Sequence, residues 1–272
     1  MTLPTAIAVA PNGGRKVKAD HPAVPLTPAQ LAVTAACCFD AGASMIHAHV
    51  RTADGLHLLD ADAYRDAIAA IRHAVGDDLV IQITSEALGR YNPAQQRAVI
   101  RDVRPEAASL ALRELVPDSS EESAFADLLG WMRREAVIPQ IILYDAADAR
   151  RLADFRQRGL VPFDHLPVLF VLGRYTTGQT SQPSDLLPFI DAAAPVFEHW
   201  SVCAFGAQET ACVTTAALLG GHIRVGFENN EWLPDGARAQ GNDDLVAAAR
   251  TALNAVGRRS ATADEFRAAV AK

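Results

Sequence analysis

His47 and His49 stand two residues apart in Met45-Ile46-His47-Ala48-His49-Val50-Arg51. In an extended strand, residues two apart share one face. His47, His49 and Arg51 would then point one way, and Ile46, Ala48 and Val50 the other. Two neutral imidazoles at that spacing can reach a single metal ion. The same pair also reads as two hydrogen-bonded core histidines, because a short motif alone recurs by chance. Where the strand ends decides between the two.

Around this stretch the chain alternates short apolar runs with helical patterns, the order of α/β units on a parallel sheet. Strands are expected at about 5–10, 45–51, 79–84, 107–112, 138–144, 166–172, 200–205 and 222–227. A polar loop, 11–18, follows the first. Helices are expected over about 27–40 and 60–75, and from about 93, 120, 145 and 184. Two more cover about 208–219 and 243–256, and a short one starts near 262. Thr27-Pro28 is a strong start signal, a capping hydroxyl before a proline at the first helical position. Eight strand–helix units in 272 residues match a (β/α)₈ TIM barrel, read as a single domain over 1–272. The rival open sheet calls for Gly-x-Gly-x-x-Gly after the first strand, and none is present.

In barrel enzymes the active site lies at the C-terminal ends of the strands, where His47 and His49 fall. The last expected strand, His222-Ile223-Arg224-Val225-Gly226-Phe227-Glu228, supplies the missing charge. Its odd-numbered residues are apolar and suit the helix layer. His222, Arg224 and Gly226 would face the interior, with Glu228 at the mouth. First and last strands meet at closure, so Glu228 can approach the histidines. Two histidines and one carboxylate make a catalytic type of zinc site. Arg224 and Glu228 could instead be a plain ion pair, which leaves the histidines unexplained.

The same parity turns Gln82, Thr84, Glu86, Ser109, Arg113, Gln140 and Tyr144 toward the mouth, with Asn12 and Arg15 just beyond the first strand. Arg15, Arg113 and Arg224 would draw anions there. The loop 173–182 could close over a substrate, although such surface loops are common without that role.

Half of the chain is hydrophobic, and the formal charge is −7, from 25 Lys+Arg against 32 Asp+Glu. That balance argues against a nucleic-acid or anionic-membrane surface. No apolar run is long enough to span a bilayer, and Met1-Thr2-Leu3-Pro4 does not read as a secretory signal. Cys37, Cys38, Cys203 and Cys212 lack metal-type spacing and read as small buried hydrophobes of a cytoplasmic protein.

Three stretches together resemble the β-keto acid cleavage enzymes, the family of 3-keto-5-aminohexanoate cleavage enzyme. They are Ile46-His47-Ala48-His49-Val50-Arg51, Pro105-Glu106-Ala107-Ala108-Ser109-Leu110, and Gly221-His222-Ile223-Arg224-Val225-Gly226-Phe227-Glu228-Asn229-Asn230. The resemblance implies a barrel, commonly a homotetramer, and a divalent metal, usually zinc, on His47, His49 and Glu228. It implies a reaction of a β-keto acid with acetyl-CoA that gives acetoacetate and a new CoA thioester. Arg224 would stabilise developing negative charge, and Thr84 would help bind substrate.

The chain departs from that pattern at three places. Asn229 stands where the family often has Asp, implicated in proton transfer, and an amide is no base. The strand-five Pro-Glu-Leu-Glu pattern reads Pro139-Gln140-Ile141-Ile142. Arg15 replaces an acid found in amine-accepting members. Glu86, where small residues are usual, is then the candidate acid–base group. These changes suggest a substrate with an anionic or polar distal end, bound with help from Asn12, Arg15, Ser109, Arg113 and Asn229. Two other readings remain: a zinc-dependent hydrolase on the same barrel, and a metal-containing binding protein without catalysis.

Overall fold

The computed structural model describes residues 4–191 and 193–270. Positions 1–3, most of the stretch read for a signal, lie outside the described residues. The barrel strands are β1 (Ile7–Val9), β2 (Met45–Ala48), β3 (Val80–Thr84), β4 (Ala107–Ala111), β5 (Ile138–Leu143), β6 (Val168–Leu172), β7 (Trp200–Ala204) and β8 (His222–Val225). Each pairs in parallel with its neighbours, and the order β1-β8-β7-β6-β5-β4-β3-β2 closes on itself. The expected (β/α)₈ barrel is thus formed.

Local chemistry starts the helices where capping residues stand. Thr27 caps Pro28–Ala41, Asp60 caps Ala61–Val75, and Asn92 with Gln95 forms a capping box on Pro93–Val103. Outward strand residues such as Ile7, Ile46, Ile81, Leu110, Ile141, Phe170, Val202 and Ile223 join Leu31, Tyr64, Ile71, Phe125 and Phe155 of the helices in one core. Each such burial is worth about 1.5–3 kcal/mol. Inward residues change character with height. At the bottom Met45, Val80 and Ala107 pack on Phe266 of the helix Ala263–Val270. Glu106 ties that helix down by accepting from Arg267 Nε at 2.6 Å, a structural use of one resemblance motif. At mid-height the interior is polar: Gln82 Nε2 donates to Gln140 Oε1 (3.1 Å), and Gln140 Nε2 to Ser201 Oγ (3.4 Å).

Four expectations need correction. β2 stops at Ala48, and Val50–Arg51 pairs antiparallel with His57–Leu58. Asn12 causes the break, since its Nδ2 donates to the His49 carbonyl (2.8 Å) and its Oδ1 accepts from the His49 amide (3.3 Å). Arg51 therefore leaves the histidine face and donates to the carbonyls of Gly55, Asn12, Gly13 and Lys16. β4 ends at Ala111, and the one-turn helix Leu112–Leu115 carries Arg113 away from strand parity. The sixth helix is reduced to a 3₁₀ turn, Pro183–Leu186, and one α turn, Leu187–Ile190. Cys37 is exposed, while the other three cysteines are buried. Among the described residues, no helix is long and apolar enough to cross a membrane.

The closure seam depends on Gly226, whose φ of 132° lies outside the range side chains favour. Ala10 N donates to Val225 O (2.8 Å), and Glu228 N donates to Ala10 O (3.0 Å). A Cβ on Gly226 would stand 2.5 Å from Ala10 O. Gly226→Ala should cost at least about 2 kcal/mol, read as a lower urea midpoint; an unchanged midpoint would mean the seam yields freely.

Candidate active site

The barrel mouth brings His47, His49 and Glu228 together. His47 Nε2 and His49 Nε2 are 3.1 Å apart, and Glu228 Oε2 lies 3.6 Å from the first and 3.4 Å from the second. Ligand atoms about 2.0–2.1 Å from a tetrahedral zinc would be about 3.3–3.4 Å from one another. The three atoms therefore fit a shared divalent cation. Hydrogen bonding among the side chains alone serves them less well, because His49 Nδ1 and Glu228 Oε2 are both buried without a hydrogen-bond partner. His47 Nδ1 faces Gln82 Oε1 at 2.8 Å. Gln82 uses its NH₂ on Gln140, so Nδ1 carries the proton and Nε2 presents its lone pair to the site.

Electrostatics fit the same use. Burial pushes His47 down to about 4 and His49 to about 3, so both are neutral ligands near pH 7. Burial pushes the Glu228 carboxyl up, but Arg224 and the nearby imidazoles outweigh it and hold the group well below the usual carboxylate range. Arg224 Nη2 donates to Glu228 Oε1 (3.1 Å) and contacts Cys203 Sγ (3.3 Å). Its Nε and Nη1 are buried without protein acceptors.

A narrow recess with a volume of about 20 Å³ joins these groups to the next strands. Thr84, Glu86 and Ser109 line it as expected. Glu86 Oε2 lies 3.8 Å from His49 Nδ1, and its Oε1 3.7 Å from Arg174 Nη2. Burial, then Glu228 and Glu114, push the Glu86 carboxyl up to about 7. His57 Nε2 meets the Glu86 carbonyl at 2.7 Å, so the small hairpin after His49 fixes the turn that carries Glu86.

Other expected residues sit elsewhere. Asn12 is fully buried and spends its amide on His49 and on the Pro25 carbonyl (2.9 Å), so it positions a histidine instead of facing the recess. Arg15 is exposed outside the lining, near enough to lower the carboxyls of Glu86 and Glu114. Arg113 does not line the recess: it is bound to Asp148 (2.6 Å) and Asp145 (2.7 Å) and lies over Tyr144. Asn229 is buried outside the lining, with neither amide atom hydrogen-bonded.

Sequence reasoning missed Arg174 and the apolar members of the lining, Ala111, Ile142, Val171 and Phe205. Parity carried two residues past Ser109 and Gln140 would have found Ala111 and Ile142. Arg174 belongs to the loop singled out above, which is braced by Thr180 N donating to Thr176 Oγ1 (3.0 Å) and Ser181 Oγ to Phe205 O (2.7 Å). A second group with metal-ligand spacing, His165, Glu198 and His199, precedes β6 and β7 at the opposite rim and is partly exposed.

A sequence model described as beta-keto acid cleavage enzyme matches residues 4–271. The chain belongs to the β-keto acid cleavage enzyme family. It is 30% identical over 270 residues to 3-keto-5-aminohexanoate cleavage enzyme of Fusobacterium nucleatum, covering 96% of this chain and 95% of that one. It is 29% identical over 279 residues to 3-oxoadipate:acetyl-CoA acetyltransferase of Cupriavidus necator, covering 98% and 95%. Among solved structures, apo ObcA superposes with a TM-score of 0.72 at 17% identity, over 92% of this chain and 66% of the longer ObcA chain. That likeness is one of fold.

Beneath the Glu228 loop, Glu209 is fully buried, and its Oε2 accepts from Asn230 Nδ2 at 3.2 Å. Burial pushes its carboxyl up to about 8 against the hydrogen bonds from Asn230 and Gly226. A carboxyl raised in the fold stabilises fully below its unfolded value near 4.5, and that contribution is lost as pH rises toward 8. Glu209→Gln should therefore flatten the fall of Tm between pH 5 and 8. At pH 8 it should be more stable than the parent by about 1–3 kcal/mol; parallel Tm–pH curves would show that Glu209 is ionised in the fold.

Proposed function

We propose that the protein catalyses acetyl-CoA-dependent cleavage of a β-keto acid and uses a divalent metal, most naturally zinc, held by His47, His49 and Glu228. The reaction balances as R–CO–CH₂–COO⁻ plus acetyl-CoA giving acetoacetate plus R–CO–SCoA. The observation that carries the reading is the group of two buried histidines and one half-buried carboxylate facing the unpaired Arg224 N–H donors, in a chain of this family. Relatives named for acetyl-CoA-dependent transfer support it.

A bound divalent ion would supply Lewis-acid stabilisation of negative charge on the keto acid oxygens. Arg224 adds two fixed donors, Nε and Nη1, that no protein atom occupies. Its orientation comes from Glu228, which takes Nη2. Ser109 Oγ is buried without a partner and lines the recess, so it is free to bond a substrate oxygen. Thr84 Oγ1 accepts from Glu86 N (3.0 Å), holding the turn while its own proton remains available. Glu86 is the lining carboxylate other than Glu228, and it is the group placed to take a proton from the carbon between the two carbonyls. Asn229 cannot do so. Acetyl transfer to that carbon frees CoA thiolate, which then adds to R–CO; the bond between R–CO and that carbon breaks, and the proton held by Glu86 returns to the carbon, giving R–CO–SCoA and acetoacetate.

The same reading takes the protein as a homo-oligomer, on the strength of the resemblance, and as cytoplasmic, on its cysteine usage. The anionic or polar distal group expected from Arg15 rests on a residue that lies outside the lining.

Zinc-loaded protein should release acetoacetate from β-keto acids only when acetyl-CoA is present; acetyl-CoA-independent cleavage of the β-keto acid to two carboxylates would point to hydrolysis. Glu86→Gln should lower kcat by about 10²–10⁴ with little change in substrate binding, and a variant with normal kcat would remove Glu86 from proton transfer. Gln82→Leu should weaken zinc binding about 10–100-fold through loss of the bond to His47 Nδ1. Competition with a chromogenic chelator measures that affinity, and parental binding would show that Gln82 does not orient the ligand.

A further inference from the structure

The recess is divided by charge. The polar half comes from β8, β2 and β3: Arg224, Glu228, His47, His49, Thr84 and Glu86. On the other side, the inward positions of β4, β5 and β6 nearest the mouth are Ala111, Ile142 and Val171, and Phe205 follows β7. These four pack with Leu169 and Cys203 into a cluster of their own, separate from the core beneath the helices, with Tyr144 against it. All four are buried yet border the recess, so their free faces are turned to whatever enters it.

Charge is scarce on that side. Arg113 is committed to Asp145 and Asp148. Arg15 is exposed beyond the lining. Arg174 does reach the recess, but its guanidinium lies over the Phe205 ring at 5.3 Å, with Glu86 Oε1 3.7 Å from Nη2. That contact is longer than a hydrogen bond, so Arg174 borders the wall as a charge on its Phe205 side. An ammonium or a second carboxylate brought against Ala111, Ile142 and Val171 would lose its water and find no counter-ion among those three residues. A hydrocarbon chain loses nothing of the kind and gains about fourfold in affinity for each methylene removed from water.

We propose that the distal substituent of the substrate is an uncharged alkyl chain bedded on Ala111, Ile142, Val171 and Phe205, with the keto acid head on the polar half. The assignment rests on the β-keto acid reading and departs from the amino and dicarboxylate substrates in the names of the two relatives above.

The test uses the full chain loaded with zinc and three probes of equal backbone length: 3-oxohexanoate, 3-oxoadipate and 3-keto-5-aminohexanoate. Binding is measured by calorimetry without acetyl-CoA, and acetoacetate release is measured afterwards with it. 3-Oxohexanoate should bind at least about tenfold more tightly than either charged probe. It should also bind more tightly than 3-oxopentanoate by about fourfold. Ile142→Glu, which places a carboxylate in the wall, should reverse the order in favour of the amino acid probe. If that variant does not fold, the order in the parent protein decides. Equal or tighter binding of 3-oxoadipate or the amino probe by the parent would overturn the assignment. Preferential binding of 3-oxohexanoate without acetoacetate release would overturn the reaction while leaving the apolar wall assigned. Binding of no probe would overturn both.

Discussion

An ionised carboxylate beside two neutral imidazoles at the mouth of a barrel needs a compensating charge, and Arg224 provides it from the strand that leads into Glu228. Arg224 and Glu228 are four positions apart, and Arg224 Nη2 reaches Glu228 Oε1 at 3.1 Å. Each charge would be costly to bury alone, and together they hold each other in the ionised form. The path between them must bend at once as β8 ends, or Glu228 would run past the histidines. Gly226 makes that bend against the Ala10 carbonyl. Gly13, at φ +57°, lets the β1 loop lie on Glu228, where a Cβ would come within 2.6 Å of Glu228 Cγ. Backbone permissiveness at two glycines therefore sets the place of one carboxylate.

Barrel closure does the rest. In the parallel register Ala8 faces Arg224 on one side and Met45 on the other, so β1 is the only strand between the arginine and the histidine strand. β1 contributes small residues to this seam and no ligand. Its following loop contributes Asn12, which replaces a strand neighbour for His49 by bonding both its amide and its carbonyl. The histidine is thereby held at the point where ordinary ladder pairing has ended. Arg51 then gathers the carbonyls of the same loop, so the residue that shares the motif with the histidines stabilises the segment that positions them.

The fold was legible because a parallel barrel imposes a strong pattern: fully apolar outward positions, capping residues before helices, and eight repeats of the unit. Site residues were legible where a strand continued to the mouth. Parity located His47, Thr84, Ser109 and Arg224, and the Glu228 position followed from where β8 must end. It failed where a side chain took over from the ladder. Arg113 moved because β4 gives way to a helical turn after Ala111, and Arg51 moved because Asn12 interrupts β2. Neither event has a periodic signature, and the second is decided by a contact between residues distant in sequence. Asn12 itself was noticed as a polar residue near the mouth, yet its type gives no hint that both amide groups are consumed internally.

The apolar half of the recess is hidden in the sequence for a different reason: Ala111, Ile142, Val171 and Phe205 are of residue types that also fill ordinary core. Their meaning depends on depth: the same residue types deeper in the barrel would simply fill its interior, as Met45 and Val80 do around Phe266. At the mouth they border the recess. Loss of the strand-five carboxylates then takes on a physical sense. Gln140 can complete the amide chain that orients His47, a task for which a second buried carboxylate would bring uncompensated charge. Ile142, one step higher, continues the apolar surface. Gln140 and Ile142 on β5 thus serve both halves of the recess: the lower residue steadies His47 through Gln82, and the upper one belongs to the apolar surface.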